Sequence, residues 1–140
     1  MRKTILSIFV CTTIGIMLHA CQPADDLEMA RYLTGGQDLY RLHCQNCHGA
    51  KGEGLGQLSP PLTDTLGLKS KKQQLACYIR NGMSEKIVVD GKVYEEKMPS
   101  FPDLKPIDLA KIIVYITNSF GNKQGIYHPE QVTEDLKSCR

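Results

Sequence analysis

The 140-residue chain is defined first by what is missing from it. It has no apolar run long enough to cross a bilayer comfortably. The stretch from Ile5 to Leu18 is short and stands alone, whereas a spanning helix needs about 20 apolar residues. It has no charge excess of its own. Lys and Arg number 17 against 15 Asp and Glu, and two of the 17, Arg2 and Lys3, lie in the first segment, so the remainder balances 15 against 15. That balance gives no reason to expect nucleic acid as a partner, and any steering of a partner must come from a local patch. There is no internal repeat and no low-complexity tract, and the length suits one small domain.

What is present begins with Met1-Arg2-Lys3 and the apolar run to Leu18. A short basic start before such a run is a secretion signal. The junction Leu18-His19-Ala20-Cys21 resembles a bacterial lipoprotein signal, although His19 is unusual within it. The resemblance implies removal of residues 1–20, lipid on Cys21, and a periplasmic protein held to a membrane by acyl chains. An ordinary cleaved signal followed by a chance cysteine is the competing reading. Residues 21–33 then read as lipidated cysteine and tether, 34–121 as a domain, and 122–140 as a polar tail with no assigned structure.

Within the domain, Thr34 and Gln37 fit a capping box at the start of a first helix, with Leu39, Tyr40, His43 and Cys47 at helical spacing. Residues 49–70, rich in Gly and Pro, read as loop. A second helix is predicted from about Lys71 to Arg80, stopped by Asn81-Gly82. Ile87 to Tyr94, with Asp90-Gly91 at its centre, reads as a small hairpin with a type I′ turn. Pro106 opens a final helix to about Phe120, with Leu109, Ile113, Ile116 and Phe120 as its apolar stripe and Ile112 and Tyr115 beside it.

Six cysteines occur. Cys11 leaves with the signal and Cys21 is the lipid candidate. Cys77 and Cys139 can pair in an oxidising compartment or stay as inert thiols, since sequence does not show whether their side chains meet. Cys44-Gln45-Asn46-Cys47-His48 carries the chemistry. Two thiols three positions apart reach the two vinyl groups on one edge of a porphyrin and form thioethers, and the histidine that follows supplies a nitrogen to the iron. A zinc site would need further ligands, usually a second Cys-x-x-Cys, and a redox thiol pair would usually sit in a βαβ context; neither is found in this sequence.

Over residues 34–121 the chain resembles the class I c-type cytochromes. Gly36 and Tyr40, the motif Cys44 to Gly49, Gly52-Glu53-Gly54, Pro60-Pro61-Leu62, Ile79 with Gly82, Met98-Pro99 with Phe101, and Ile112 with Tyr115 occur in that family's order. The resemblance implies an all-α cytochrome c fold, three main helices around one covalent haem c. It implies that Cys44 and Cys47 attach the haem and that His48 and Met98 are the axial iron ligands. It also implies that the Pro60 carbonyl accepts a hydrogen bond from His48, orienting it. Taken on their own, the residues leave Met83 and Met98 as the domain's two methionines beyond the motif. Either could reach the distal face; Pro99 stiffens the backbone beside Met98, and Met83 follows a helix stop. His43 and His128 read as packed or surface residues.

An iron with both axial positions filled by protein has no open site for substrate, so the expected function is shuttling of single electrons between exported or membrane redox partners, by a monomer that is not itself an enzyme. A haem module of a larger respiratory or reductase complex, and a redox or gas sensor, are the alternatives. A peroxidase of the exported cytochrome type would carry two attachment motifs, and a sensor an output domain. Lys51, Lys69, Lys71, Lys72 and Lys97 read as scattered solvated charge rather than a docking patch. Partners of this kind meet through small transient interfaces.

Overall fold

A computed structural model describes residues 24–139. The segment read as signal, with Cys11 and the lipid candidate Cys21, lies outside the described residues. The chain divides at Ala30 and Arg31, and everything that follows about packing concerns the part from Arg31 onward.

Six α-helices and one two-stranded sheet make up the described residues: α1 Ala24–His43, α2 Gln45–His48, α3 Thr65–Ser70, α4 Leu75–Asn81, α5 Pro106–Asn118 and α6 Pro129–Lys137, with strands β1 Ile87–Val89 and β2 Lys92–Tyr94. A 3-10 turn, Lys72–Gln74, leads into α4. The fold is mostly helical and matches the expected class. The hairpin also forms where expected: Ile87 pairs with Tyr94 and Val89 with Lys92. Asp90 and Gly91 both take positive φ, 50° and 74°, as a type I′ turn requires.

Three boundaries differ from the sequence reading. The first helix starts at Ala24, so residues 24–33 are helical and Thr34 lies in mid-helix rather than at a cap. Asp25 and Asp26 in its first turn and Arg41 and His43 in its last complement the helix dipole. Its buried line is Tyr32, Gly36 and Tyr40, a glycine and two tyrosines at i, i+4, i+8, which gives little apolar periodicity to read. The stretch read as loop contains α3, capped by Asp64, whose carboxylate accepts from the Gly67 N–H at 2.9 Å. The tail contains α6, which packs on α5 and α4.

Helix α5 is the centre of the core. Leu109, Ile112, Ile113, Val114 and Ile116 are all buried, so it is apolar almost all round, as a helix covered on every side must be. The predicted stripe left Val114 outside it; with α6 packed on α5, that face is closed as well. Thr117, also fully buried, satisfies its hydroxyl on the Ile113 carbonyl at 2.6 Å.

Helix α1 meets α5 at Gly36. A Cβ built there would stand 2.2 Å from the Lys111 carbonyl oxygen and 2.7 Å from Tyr115 Cβ. Next to this contact Tyr40 packs on Tyr115 and Phe120, with ring centroids 5.3 and 5.4 Å apart. The tail is fastened independently. Cys77 of α4 and Cys139 are joined in a disulfide across a separation of 62 residues. Tyr127 donates to the Asp135 carboxylate. Lys72 reaches the Gln124 carbonyl at 3.2 Å while its ammonium lies 4.9 Å over the Tyr127 ring.

Two expected outcomes follow from these joints. Gly36→Ala gains about 1 kcal/mol of helix propensity but sets a methyl against backbone that cannot rotate away. The clash wins, and the urea midpoint falls by an amount equivalent to about 1–3 kcal/mol. Replacing Cys77 and Cys139 together by serine removes a long loop closure and costs about 2–4 kcal/mol, read as the same midpoint in the haem-loaded protein.

Candidate haem site

The motif grows directly out of the end of α1. The Cys44 N–H bonds the Tyr40 carbonyl at 2.8 Å, and the Cys47 and His48 N–H groups both bond the Cys44 carbonyl, at 3.1 and 2.9 Å. This tight turn puts Cys44 and Cys47 on neighbouring positions of one face. Cys44 is buried and Cys47 exposed, and both are free thiols. Burial, reinforced by the adjacent Cys47, pushes the Cys44 thiol up to about 12, so in the chain by itself it is a neutral S–H. Among the described residues no three His, Cys, Asp or Glu side chains converge as a metal cage would require, which leaves the zinc reading without its ligands.

His48 is 9% exposed, and its Nδ1 lies 2.9 Å from the Pro60 carbonyl. A carbonyl can only accept, so Nδ1 carries the proton and Nε2 the lone pair. Burial lowers the imidazole pKa, opposed by the Pro60 bond, and the neutral form is the one that ligates. The loop that delivers Pro60 is pinned in several places. Tyr40 OH donates to the Gly49 carbonyl at 2.6 Å, Gly54 N–H to the His48 carbonyl at 2.8 Å, and Leu62 N–H to the Gly52 carbonyl at 2.8 Å. Buried Asn122 then donates its side-chain amide to both the Leu62 and Ile116 carbonyls, each at 3.1 Å. Neither Tyr40 as a hydrogen-bond donor nor Asn122 was read from sequence.

His48 and Cys44 open onto an apolar cavity of about 270 Å³ walled by Leu62, Leu68, Leu75, Ile79, Ile112 and Ile116. A smaller cavity of about 70 Å³ is lined by Cys47 and Phe101. Pro60, Met83, Ile87 and Met98 line both. The hairpin is therefore a wall of the site, a role its sequence did not reveal.

The methionine loop is attached to α4. Gly82, with φ 73°, ends the helix, and a Cβ there would come 2.5 Å from the Met98 carbonyl oxygen, so glycine is what allows the two segments to touch. Met83 and Met98 then exchange both backbone hydrogen bonds, at 3.1 and 2.9 Å, and Phe101 N–H bonds the Ile79 and Arg80 carbonyls at 3.2 and 3.1 Å. The loop thus caps the α4 carbonyls that the helix leaves open.

The expected site residues Cys44, Cys47, His48, Pro60 and Met98 are brought together, and Met83 joins them. His128 lies elsewhere, at the start of α6, edge-on to Tyr32. His43 packs edge-on against Phe101 at 5.1 Å. Lys72 does not belong with the solvated lysines: it is partly buried in the tail joint, and that burial lowers its pKa. A pair of free thiols beside a neutral imidazole, an apolar slot and thioethers lining it fits a c-type haem.

A model of the cytochrome c family, described as "Cytochrome c", matches residues 33–119. The chain belongs to the cytochrome c family. It is similar to a cytochrome c-552 of Thermus thermophilus, 27% identical over 124 residues covering 80% of this chain and 84% of that one. A second cytochrome c-552 from Thermus thermophilus is 26% identical over 110 residues, covering 75% and 83%. As a cytochrome c, the protein carries one covalently attached haem c and is an electron-carrying haem protein rather than an enzyme.

Within this cytochrome, Asn122→Ala should leave the Leu62 and Ile116 carbonyls without their amide donor and lower stability by about 1–3 kcal/mol. Thermal or urea melts of the haem-loaded protein, followed at the haem absorbance, measure it.

Proposed function

We propose that this cytochrome shuttles single electrons as an exported, lipid-tethered monomer, its haem attached at Cys44 and Cys47 and ligated by His48 and Met98. The observation that carries the reading is the His48–Pro60 hydrogen bond, which commits Nδ1 and leaves Nε2 bare in a cavity that Met98 also lines. Haem c, when bound, supplies the exchange of one electron between ferrous and ferric iron, and a thioether ligand favours the ferrous form. The chain's own residues do the rest. His48 and Met98 would both ligate the iron, leaving no open position for a substrate. Leu75, Ile79 and Ile112 keep water from the slot and disfavour the extra ferric charge.

Transient docking at the attachment edge is supported by the surroundings of Cys47. It is exposed, it shares a cavity with Leu58, and Leu58 in turn shares a groove with Val93. Both side chains are exposed apolar groups, suited to a small and short-lived interface. Export and the tether are supported by the N-terminal segment and by Leu18-His19-Ala20-Cys21. No helix among the described residues is long and apolar enough to cross a membrane, so an acyl anchor on Cys21 is the membrane attachment this reading uses.

The mature protein should show a mass increment of one haem, which Cys44→Ala with Cys47→Ala removes. In the ferric state it should show the weak red sulfur-to-iron charge-transfer band and should not take up cyanide at once. Met83→Leu should leave that band unchanged, because Met98 supplies the sulfur. A ferric protein without the band, open at once to cyanide, would overturn the carrier reading.

A further inference from the structure

We infer that Met83 is a second sulfur donor held in reserve on the same face as Met98, placed to take the iron's sixth position when the Met98 thioether is removed. The inference rests on the His48/Met98 reading above.

Directly opposed residues of an antiparallel pair project their side chains to the same side, with Cβ atoms about 5 Å apart. Met83 and Met98 are such a pair, bonded N–H to carbonyl in both directions. Both are half-buried, and both line the two cavities that His48 lines. The pairing uses main-chain atoms alone, so it survives truncation of the Met98 side chain. Its anchor is independent of Met98's sulfur: Met83 follows Gly82 at the end of α4, and α4 is held by the buried Leu75, Ala76 and Ile79. The methionine side chain, unbranched with three rotatable bonds, can then swing into the space that the truncation leaves.

The competing donors near the slot are poorer. Lys71 and Lys97 line these cavities too, but a lysine nitrogen must first give up a proton before it has a lone pair to offer, which a thioether need not do. His43 lines the smaller cavity with its ring held against Phe101. Water would have to enter a slot walled by Leu62, Leu75, Ile79 and Ile112, whereas the Met83 thioether is tethered beside it.

The test uses the haem-loaded protein at neutral pH. Ferric Met98→Ala should keep a sulfur-to-iron band at a shifted position and bind cyanide slowly. The double variant Met83→Leu/Met98→Ala should lose the band and bind cyanide at once. Absence of the band in Met98→Ala alone overturns the inference. Loss of the band in Met83→Leu alone makes Met83 the resident ligand, overturning the Met98 assignment and the reserve role together. A measurement on the unaltered chain guards against a variant that fails to fold. With methyl-13C methionine in the ferrous protein, the Met98 methyl should show the largest porphyrin ring-current shift and the Met83 methyl a smaller one. A Met83 methyl resonating where an exposed methionine does sinks the inference.

Discussion

The hydrogen bond from His48 Nδ1 to the Pro60 carbonyl is the contact on which the site depends. It selects the tautomer, fixes the plane of the ring and keeps the second nitrogen free for a metal. A single bond of this kind contributes about 1 kcal/mol, too little to hold a loop in place by itself. Its precision comes from the supports around it. Tyr40 holds Gly49, Gly52 holds Leu62, and Asn122 ties Leu62 to the end of α5. These bonds start from α1 and α5, so the crossing at Gly36, several turns from the iron site, sets the distance over which the loop must reach.

The opposite wall is organised by the same economy. Helix α4 has only seven residues, too few to be stable alone. One end of it is capped by the methionine loop through Phe101, and its body is covalently tied to the tail through Cys77. The cavity's apolar residues Leu75 and Ile79 therefore sit on a helix stabilised by what it positions and by a segment distant in sequence. Such mutual support is what a domain of this size needs, where the core without its cofactor is modest.

The Cys-x-x-Cys-His motif was legible because a porphyrin edge and an iron would dictate its spacing, not this fold. The hairpin was legible because Asp90-Gly91 admits few alternatives. The early start of α1 was not, since its contact line is made of Tyr32, Gly36 and Tyr40, and a glycine at a helix crossing contributes by having no side chain. Helix α6 could have been found: His128-Pro129-Glu130-Gln131 repeats the start signature of Lys105-Pro106-Ile107-Asp108, and in both the third helical residue accepts from the N-cap N–H. Asn122 gave no local signal, because its partners are carbonyls brought to it by tertiary structure, one of them 60 positions away in the chain. The pairing of Cys77 with Cys139 was equally a tertiary fact.

That disulfide has a consequence for how the protein matures. On the proposed attachment, thioether formation at Cys44 and Cys47 consumes reduced thiols, while the Cys77–Cys139 link demands an oxidant, so one chain presents two cysteine pairs needing opposite redox treatment. The pair near the start of the domain emerges first and, three residues apart, can close on itself; the other cannot form until Cys139 has followed. An oxidase acting too early would seal the wrong pair, so the order of reduction, haem ligation and oxidation becomes a condition for obtaining the functional cytochrome.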